Sequence, residues 1–243
     1  MKLPRATLLI RVQALLFLRD PLSVFFTLLF APAFLVMLEV AAPVSGAADL
    51  GIHVPGYAAI VIGVVGLVGV AIEVSTRREA GVLRRFWATP LRPLIYIISD
   101  VVVSFAMITL GILLLFLLAG IVYGAQPVGS LAALALGVFL GAAAFLALGY
   151  LLASLAPSAR AATVMGNVLI FPMLGLSGAT VPQEIMSETM RSLARFIPLT
   201  HVVTLLQGLW SGEPMSEHLT EVAVLTAICV VATAAAARMF RWE

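Results

Sequence analysis

Long apolar runs, broken only by short polar or Pro/Gly-bearing connections, dominate the pattern of this chain. A helix needs about 20 mostly apolar residues to cross a bilayer, since each residue rises ~1.5 Å. Six runs meet that length: 22–42, 56–74, 97–123, 130–156, 161–178 and 220–237. Backbone groups in lipid must hydrogen-bond within their own element, and runs of this length suit helices, whereas barrel strands need only about 10 residues. Residues 1–20 differ. Leu8, Leu9, Val12, Leu15 and Leu16 share one arc, with Arg11 and Gln13 at its edges, as in a helix lying along a membrane interface. The first long run spans, and it lacks the small-residue cleavage site of a signal peptide. The pattern predicts an all-α integral membrane protein of six transmembrane helices, in one domain over 1–243, preceded by an interfacial helix.

Composition agrees and narrows the functions available. Of the 243 residues, 62% are hydrophobic and 11% charged, against about 25% charged in a soluble domain. That excludes a soluble globule, a disordered chain and a nucleic-acid binder. The lone Cys229 allows neither a disulfide framework nor a thiolate metal cluster, and no metal site or catalytic residue is expected. Charge distribution sets the topology. Lys2, Arg5, Arg11 and Arg19 precede the first run; Arg77, Arg78, Arg84, Arg85 and Arg92 follow the second; Arg160, Arg238 and Arg241 fall on the same side. The other side holds Arg191 and Arg195 among several acids. By the positive-inside rule both termini are cytoplasmic.

Ionisable groups deep in the runs are scarce. Glu73 sits near the inner end of the second, and Asp100 is expected to cap the N-terminus of the third helix. No acidic relay stands at midplane to couple transport to protons or sodium. A phosphate-binding loop needs a lysine after its glycine turn, and the only lysine is Lys2; this chain is expected to hydrolyse no nucleotide and to carry no cofactor. Gly63, Gly66 and Gly69 lie inside a span, where small residues let helices approach closely.

The loop after the second run is the most specific stretch. On a helical wheel Arg77, Arg78, Gly81, Arg84 and Arg85 share one arc, and Val82, Leu83, Phe86 and Trp87 the other, with Glu79 among them. Thr89-Pro90 ends it, because a proline disfavours helical geometry in the residue before it. An amphipathic helix over 76–88 is expected. Glu79, Gly81, Leu83, Arg84, Arg85 and Thr89-Pro90 at this place resemble the membrane subunits of type-2 ABC transporters, most closely the drug- and antibiotic-exporting branch that includes the daunorubicin-resistance permeases. Phe171-Pro172 through Ser177-Gly178 to Pro182 resembles the family again, as does Ile197-Pro198-Leu199-Thr200-His201 followed by Leu206-Gln207-Gly208. The family often has Asn where this chain has Ile197, and Arg where it has Gln207.

The resemblance implies that 76–88 is a coupling helix docking on a separately encoded ATPase, present in two copies and binding ATP with magnesium. Arg77, Arg78, Arg84 and Arg85 would meet acidic rims or lipid phosphates, and Glu79 a basic group. It further implies a dimer with a second permease copy or a sister permease, and export by alternating access of an amphipathic or apolar cargo such as a drug, antibiotic, lipid or glycan-like molecule. The setting would be the cytoplasmic membrane of a prokaryote. The pathway would run between spans two and five, with Ile62, Val65, Met165, Asn167, Phe171 and Met173 as candidates. An outer amphipathic helix within 182–198 would serve as a surface lid or a re-entrant gate, with Ser177, Gly178, Pro182 and Pro198 near the gate. Two other readings exist: a secondary transporter or channel, and a rhomboid-like intramembrane protease using Gly175-Leu176-Ser177-Gly178 with His201 as base, which requires Ser177 and His201 in hydrogen-bond reach.

Overall fold

A computed structural model describes residues 3–41, 47–81, 93–180 and 186–239. All regular structure among them is helical. In chain order the elements are α1 (Leu3–Arg19), α2 (21–41), α3 (47–79), α4 (Pro93–Tyr123), α5 (Leu131–Leu155), α6 (Ala159–Leu176), α7 (Glu188–Ala194), α8 (Pro198–Ser211) and α9 (Leu219–Met239), with a 3-10 turn at Met215–His218.

Five of these helical stretches are long and apolar enough to cross a membrane: His53–Glu79, Ile97–Tyr123, Leu131–Leu155, Ala159–Leu176 and Met215–Met239. The run expected over 22–42 forms α2, within which Thr27–Met37 is a shorter apolar helix. Several helices outrun the expected boundaries. α3 continues without a break through Thr76 to Glu79, so the first residues expected in a separate helix at 76–88 are the last turn of a span. The remainder, 82–88, lies outside the described residues.

The bundle is organised around α3, whose spanning stretch is 72% buried, against 17% for those of α6 and α9. The reason is small residues. α3 crosses α5 where Gly66 meets Gly149; a Cβ on Gly149 would collide with the Gly66 carbonyl oxygen, and one on Gly66 would lie 2.9 Å from Phe145 Cβ. Lipid tails supply no hydrophobic drive between helices, so such close backbone approach is what holds the crossing. α6 packs along the Val70–Glu79 part of α3, α9 along α5, and α4 takes α1 and the middle of α2 on its outer side.

Both α2 and α3 contain a π turn. The amide of Phe30 bonds back to the Phe25 carbonyl and that of Val70 to Val65, five residues in each case, where a regular helix uses four. Each widened turn inserts a residue and re-aims the side chains around it.

α8 is the element that periodicity of 20-residue runs could not find. At 14 residues it is about 21 Å long, too short to span, yet Leu199, Val202, Val203, Leu205 and Leu206 are fully buried. It starts level with the middle of α3, where Leu199 packs beside Gly63. It ends at the α4–α5 connection, where the Val128 amide bonds to the Trp210 carbonyl at 2.9 Å. α7, expected within a longer amphipathic helix, is only seven residues long, and Met190 and Leu193 on it are exposed.

Gly149→Leu is expected to abolish the monodisperse folded species in detergent extracts, because no rotamer avoids α3. Gly175→Leu should leave it unchanged, since nothing lies within 4 Å of a Cβ added there. Identical size-exclusion profiles for the two variants would contradict the close crossing.

Candidate functional site

The last two turns of α3 carry Glu73, Arg77, Arg78 and Glu79, spaced so that successive residues face different neighbours. Arg77 reaches back one turn to Glu73 and across to Asp100 on α4, pairing with both carboxylates. Asp100 is 3% exposed, and its second oxygen accepts from the Tyr150 hydroxyl of α5 at 2.5 Å. A buried carboxylate is tolerable only when paired and hydrogen-bonded, and here it has both. The expectation that Asp100 caps the third helix is corrected: that helix starts seven residues earlier, at Pro93, so Asp100 stands inside it and joins three spans.

Arg78 turns to the C-terminal end of α5, where its guanidinium donates to the carbonyl of Ala153 at 3.0 Å and to that of Ala156. Carbonyls of a helix's last turn have no partner within the helix, and a cation there also complements the helix dipole. Glu79 does the reverse at the next helix. Its carboxylate accepts the Ala159 amide at 2.9 Å, an orphan donor of the first turn of α6, where negative charge is favoured. Ser158 caps the same helix by accepting from the Ala161 amide at 3.0 Å. The tight α5–α6 connection is therefore held between a guanidinium and a carboxylate on neighbouring residues of α3.

Immediately beyond this clamp the chain turns at Gly81, with φ of +67°. This left-handed conformation costs an L-residue about 1–2 kcal/mol and suits glycine. Leu83, Arg84, Arg85, Phe86, Thr89 and Pro90 lie outside the described residues, as does Pro182.

Beside the clamp opens a cavity of about 560 Å³. Both π turns border it, through Thr27 of α2 and through Val64, Val65, Val68 and Gly69 of α3. α1 contributes Gln13 and Phe17, and α4 contributes Val103, Ser104 and Met107, with Glu73, Arg77 and Asp100 at the charged end. Of the six residues expected along the pathway, Val65 lines this cavity. Ile62 is fully buried, 3.4 Å from where a Cβ on Gly141 of α5 would stand. Met165 and Met173 pack on the core, Asn167 is half-buried, and Phe171 is 67% exposed on α6.

Near the opposite end, Ser177 and Gly178 are buried at the end of α6, and Pro198 opens α8. The Ser177 hydroxyl accepts from the Ala179 amide at 3.3 Å, while the His201 ring meets the Arg195 carbonyl at 3.1 Å. Among the described residues there is no group of three His, Cys, Asp or Glu arranged to hold a metal ion.

A many-span helical bundle with an interlocked charged end defines a multi-pass membrane protein, and comparison with known proteins places it. Residues 35–238 match the family described as ABC-2 family transporter protein, and the chain belongs to that family. As a member of that family it is a membrane transport subunit and not an enzyme. The intramembrane-protease reading falls with that finding. Nodulation protein J of Rhizobium leguminosarum bv. viciae is 33% identical over 88 residues, which cover 36% of this chain and 34% of that protein. Nodulation protein J of Neorhizobium galegae is 32% identical over 74 residues, 30% of this chain and 28% of that protein. The chain thus aligns with about a third of the length of these relatives. No solved structure matches.

The missed signal was pairing between distant residues: Arg77 with Asp100, Arg78 with Ala153 and Ala156, and Glu79 with Ala159 are partners that a single sequence does not announce. Tyr150→Phe removes a hydrogen bond to a buried charge and is expected to destabilise the protein by about 1.5–3 kcal/mol. Arg160→Ala, at an exposed position, should stay within about 0.5 kcal/mol. Equal unfolding midpoints for the two in mixed micelles would show the cluster to be unimportant.

Proposed function

We propose that this chain is the permease of an ATP-driven exporter in the cytoplasmic membrane of a prokaryote, with six spans and the clamped end facing the cytoplasm. The arginine distribution supports that orientation, and the apolar faces of α2 and the other outer helices support lipid contact. The segment after Gly81, over the remainder of 76–88, is the coupling helix, seated by its apolar arc on a separately encoded ATPase. Two copies of that ATPase bind ATP with magnesium; a second permease copy or a sister permease completes the pathway. The cargo is amphipathic or apolar, of drug, antibiotic, lipid or glycan-like character. No cofactor is needed on this chain.

The observation that carries the reading is the clamp at the root of that segment. A push on residues beyond Gly81 reaches α3 first, and α3 is tied to α4 by Arg77, to α5 by Arg78 and to α6 by Glu79. ATPase closure changes the position of the coupling segment, and the tied ends must follow together. A ligand or motor shifts a two-state equilibrium only through differential contact with the two states, and the clamp makes one such contact act on four helices. Export over import follows from the family likeness alone.

The reading is tested by searching the adjacent reading frames for an ABC ATPase, then by co-expression with it, co-purification, and transport in inverted vesicles. Co-purification and ATP-dependent transport are expected. Glu79→Lys, which puts a cation at the N-terminus of α6, and Gly81→Trp, which forces a side chain into a left-handed turn, are expected to leave the protein in the membrane and ATP turnover intact while transport is lost. Wild-type transport in both variants, or transport that survives mutation of the ATPase's phosphate-binding lysine, would overturn it.

A further inference from the structure

A second cluster of titratable groups lies at the end of the bundle opposite the clamp, where the chain passes from α8 to α9. His218, the last residue of the 3-10 turn, is 6% exposed. Its ring lies against Gly208 of α8: a Cβ on that glycine would stand 2.1 Å from the imidazole Nε2 and 2.3 Å from Cε1. Gly208, which belongs to a motif that the clamp leaves unexplained, is bare so that the imidazole fits. Its carbonyl accepts from the amide of Gly212, which is left-handed with φ of +99°, and from that of Glu213 at 2.9 Å. This turn brings the Glu213 side chain back to the ring.

Two carboxylates from different elements face the imidazole. Glu213, after α8, places Oε2 2.9 Å from Nε2, and Glu221, in the first turn of α9, places Oε2 3.9 Å from Nδ1. Nε2 is nonetheless without a hydrogen bond: the Glu213 oxygen is near in distance and off the line of the ring N–H. Such a contact does little for a neutral ring and much for a charged one, because Coulomb attraction depends on distance and not on alignment. The 3-10 turn packs on α8 and α9. Among the described residues, the other ionisable groups on these elements stand apart from the ring. Glu217 is exposed on the turn itself, His201 lies two turns back on α8 against the Arg195 carbonyl, and Arg238 is at the far end of α9.

We propose that His218 is a proton-operated latch on α8. Protonated, it forms ion pairs with Glu213 and Glu221 and fastens the end of α8 to the start of α9. Neutral, it leaves the two carboxylates unanswered and the end of α8 free to shift. Imidazole is the side chain that changes charge between about pH 5 and pH 8. Along its sides α8 meets α5 through apolar contacts, Val202 over Gly141 and Leu206 and Leu209 over Gly137, which lack the directional bonds that would fix its position. As a latch, the inference stands on this geometry. As a brake on transport it rests on the exporter reading, which puts the clamped end in the cytoplasm and His218 at the outer face, so that an acidic exterior holds α8 in place.

The test is amide hydrogen exchange, read by mass spectrometry on the full chain in nanodiscs from about pH 5 to about pH 8. Protection over 205–213, corrected for the intrinsic exchange rate at each pH, is expected to fall about tenfold as the pH rises, the scale of one hydrogen bond to a charged group. His218→Gln should show the low protection of the high-pH wild type at every pH. Glu213→Gln, at an exposed position, should weaken the pH dependence and keeps the test open if His218→Gln folds poorly. His201→Gln should leave the dependence unchanged. Protection that is flat or rises with pH overturns the latch, as does a dependence that survives in His218→Gln, is unaltered in Glu213→Gln or vanishes in His201→Gln. In inverted vesicles carrying the ATPase, where His218 faces the lumen, an acidic lumen should slow transport by the wild type and not by His218→Gln; equal responses overturn the brake. Exchange that ignores pH while transport runs defeats the latch and leaves the exporter reading standing. Exchange that follows pH in a chain with which no ATPase associates supports the latch and defeats the exporter reading.

Discussion

A charge buried at the end of a membrane helix must be answered by another helix, and in this protein that requirement fastens three helices to one turn of α3. Asp100 is acceptable in its site only because Arg77 and Tyr150 reach it from either side. The unpaired carbonyls at the end of α5 and the unpaired amide at the start of α6 are unavoidable by-products of helix geometry, and Arg78 and Glu79 answer them from adjacent positions. Surface ion pairs contribute little because water competes for them; Arg77 and Arg78 are part-buried and Glu79 sits exposed at the rim, and each bond leads to a different element. The outcome is a rigid joint placed where the chain leaves the bundle at Gly81.

That joint and the glycine crossing solve different problems for the same helix. Gly66 against Gly149 lets α3 sit at the centre of the bundle, and the clamp fixes its end. The π turn Val64–Gly69 contains the crossing glycine, and Val64, Val65, Val68 and Gly69 on it line the cavity that reaches down to the clamp. A stiff end and a re-aimed middle are what a moving transporter needs from one helix: motion delivered at one place and side chains presented at another.

Much of this architecture was legible in the residues. Five apolar runs became long helices because lipid leaves the backbone no other way to satisfy its hydrogen bonds, and the family was readable from the residues over 79–90 and the two proline-centred motifs. The site was less so. Arg77 and Arg78 share one arc of a helical wheel, yet they part to α4 and α5; a wheel shows direction and says nothing of what waits there. Asp100 read as a cap because the helix start was placed after its true beginning at Pro93. α8 escaped because a helix of 14 residues is too short for a span, and only three-dimensional packing shows that its apolar face fills the bundle. Gln13 appeared as an edge residue of an interfacial helix; it is buried in the structure beside α4, distant in the chain.

The central claim is that the clamped ends of α3, α5 and α6 move as one body when nucleotide engages the ATPase. It is tested most directly by pulsed electron–electron spin resonance on the assembled complex. Spin labels are placed at Ala80 and Pro157, both exposed, in a Cys229→Ala background. The account predicts that the Ala80–Pro157 distance within a protomer is the same with and without trapped nucleotide, while the distance between the Ala80 labels of the two permease subunits changes. An Ala80–Pro157 distance that shifts as far as the distance between subunits would contradict it.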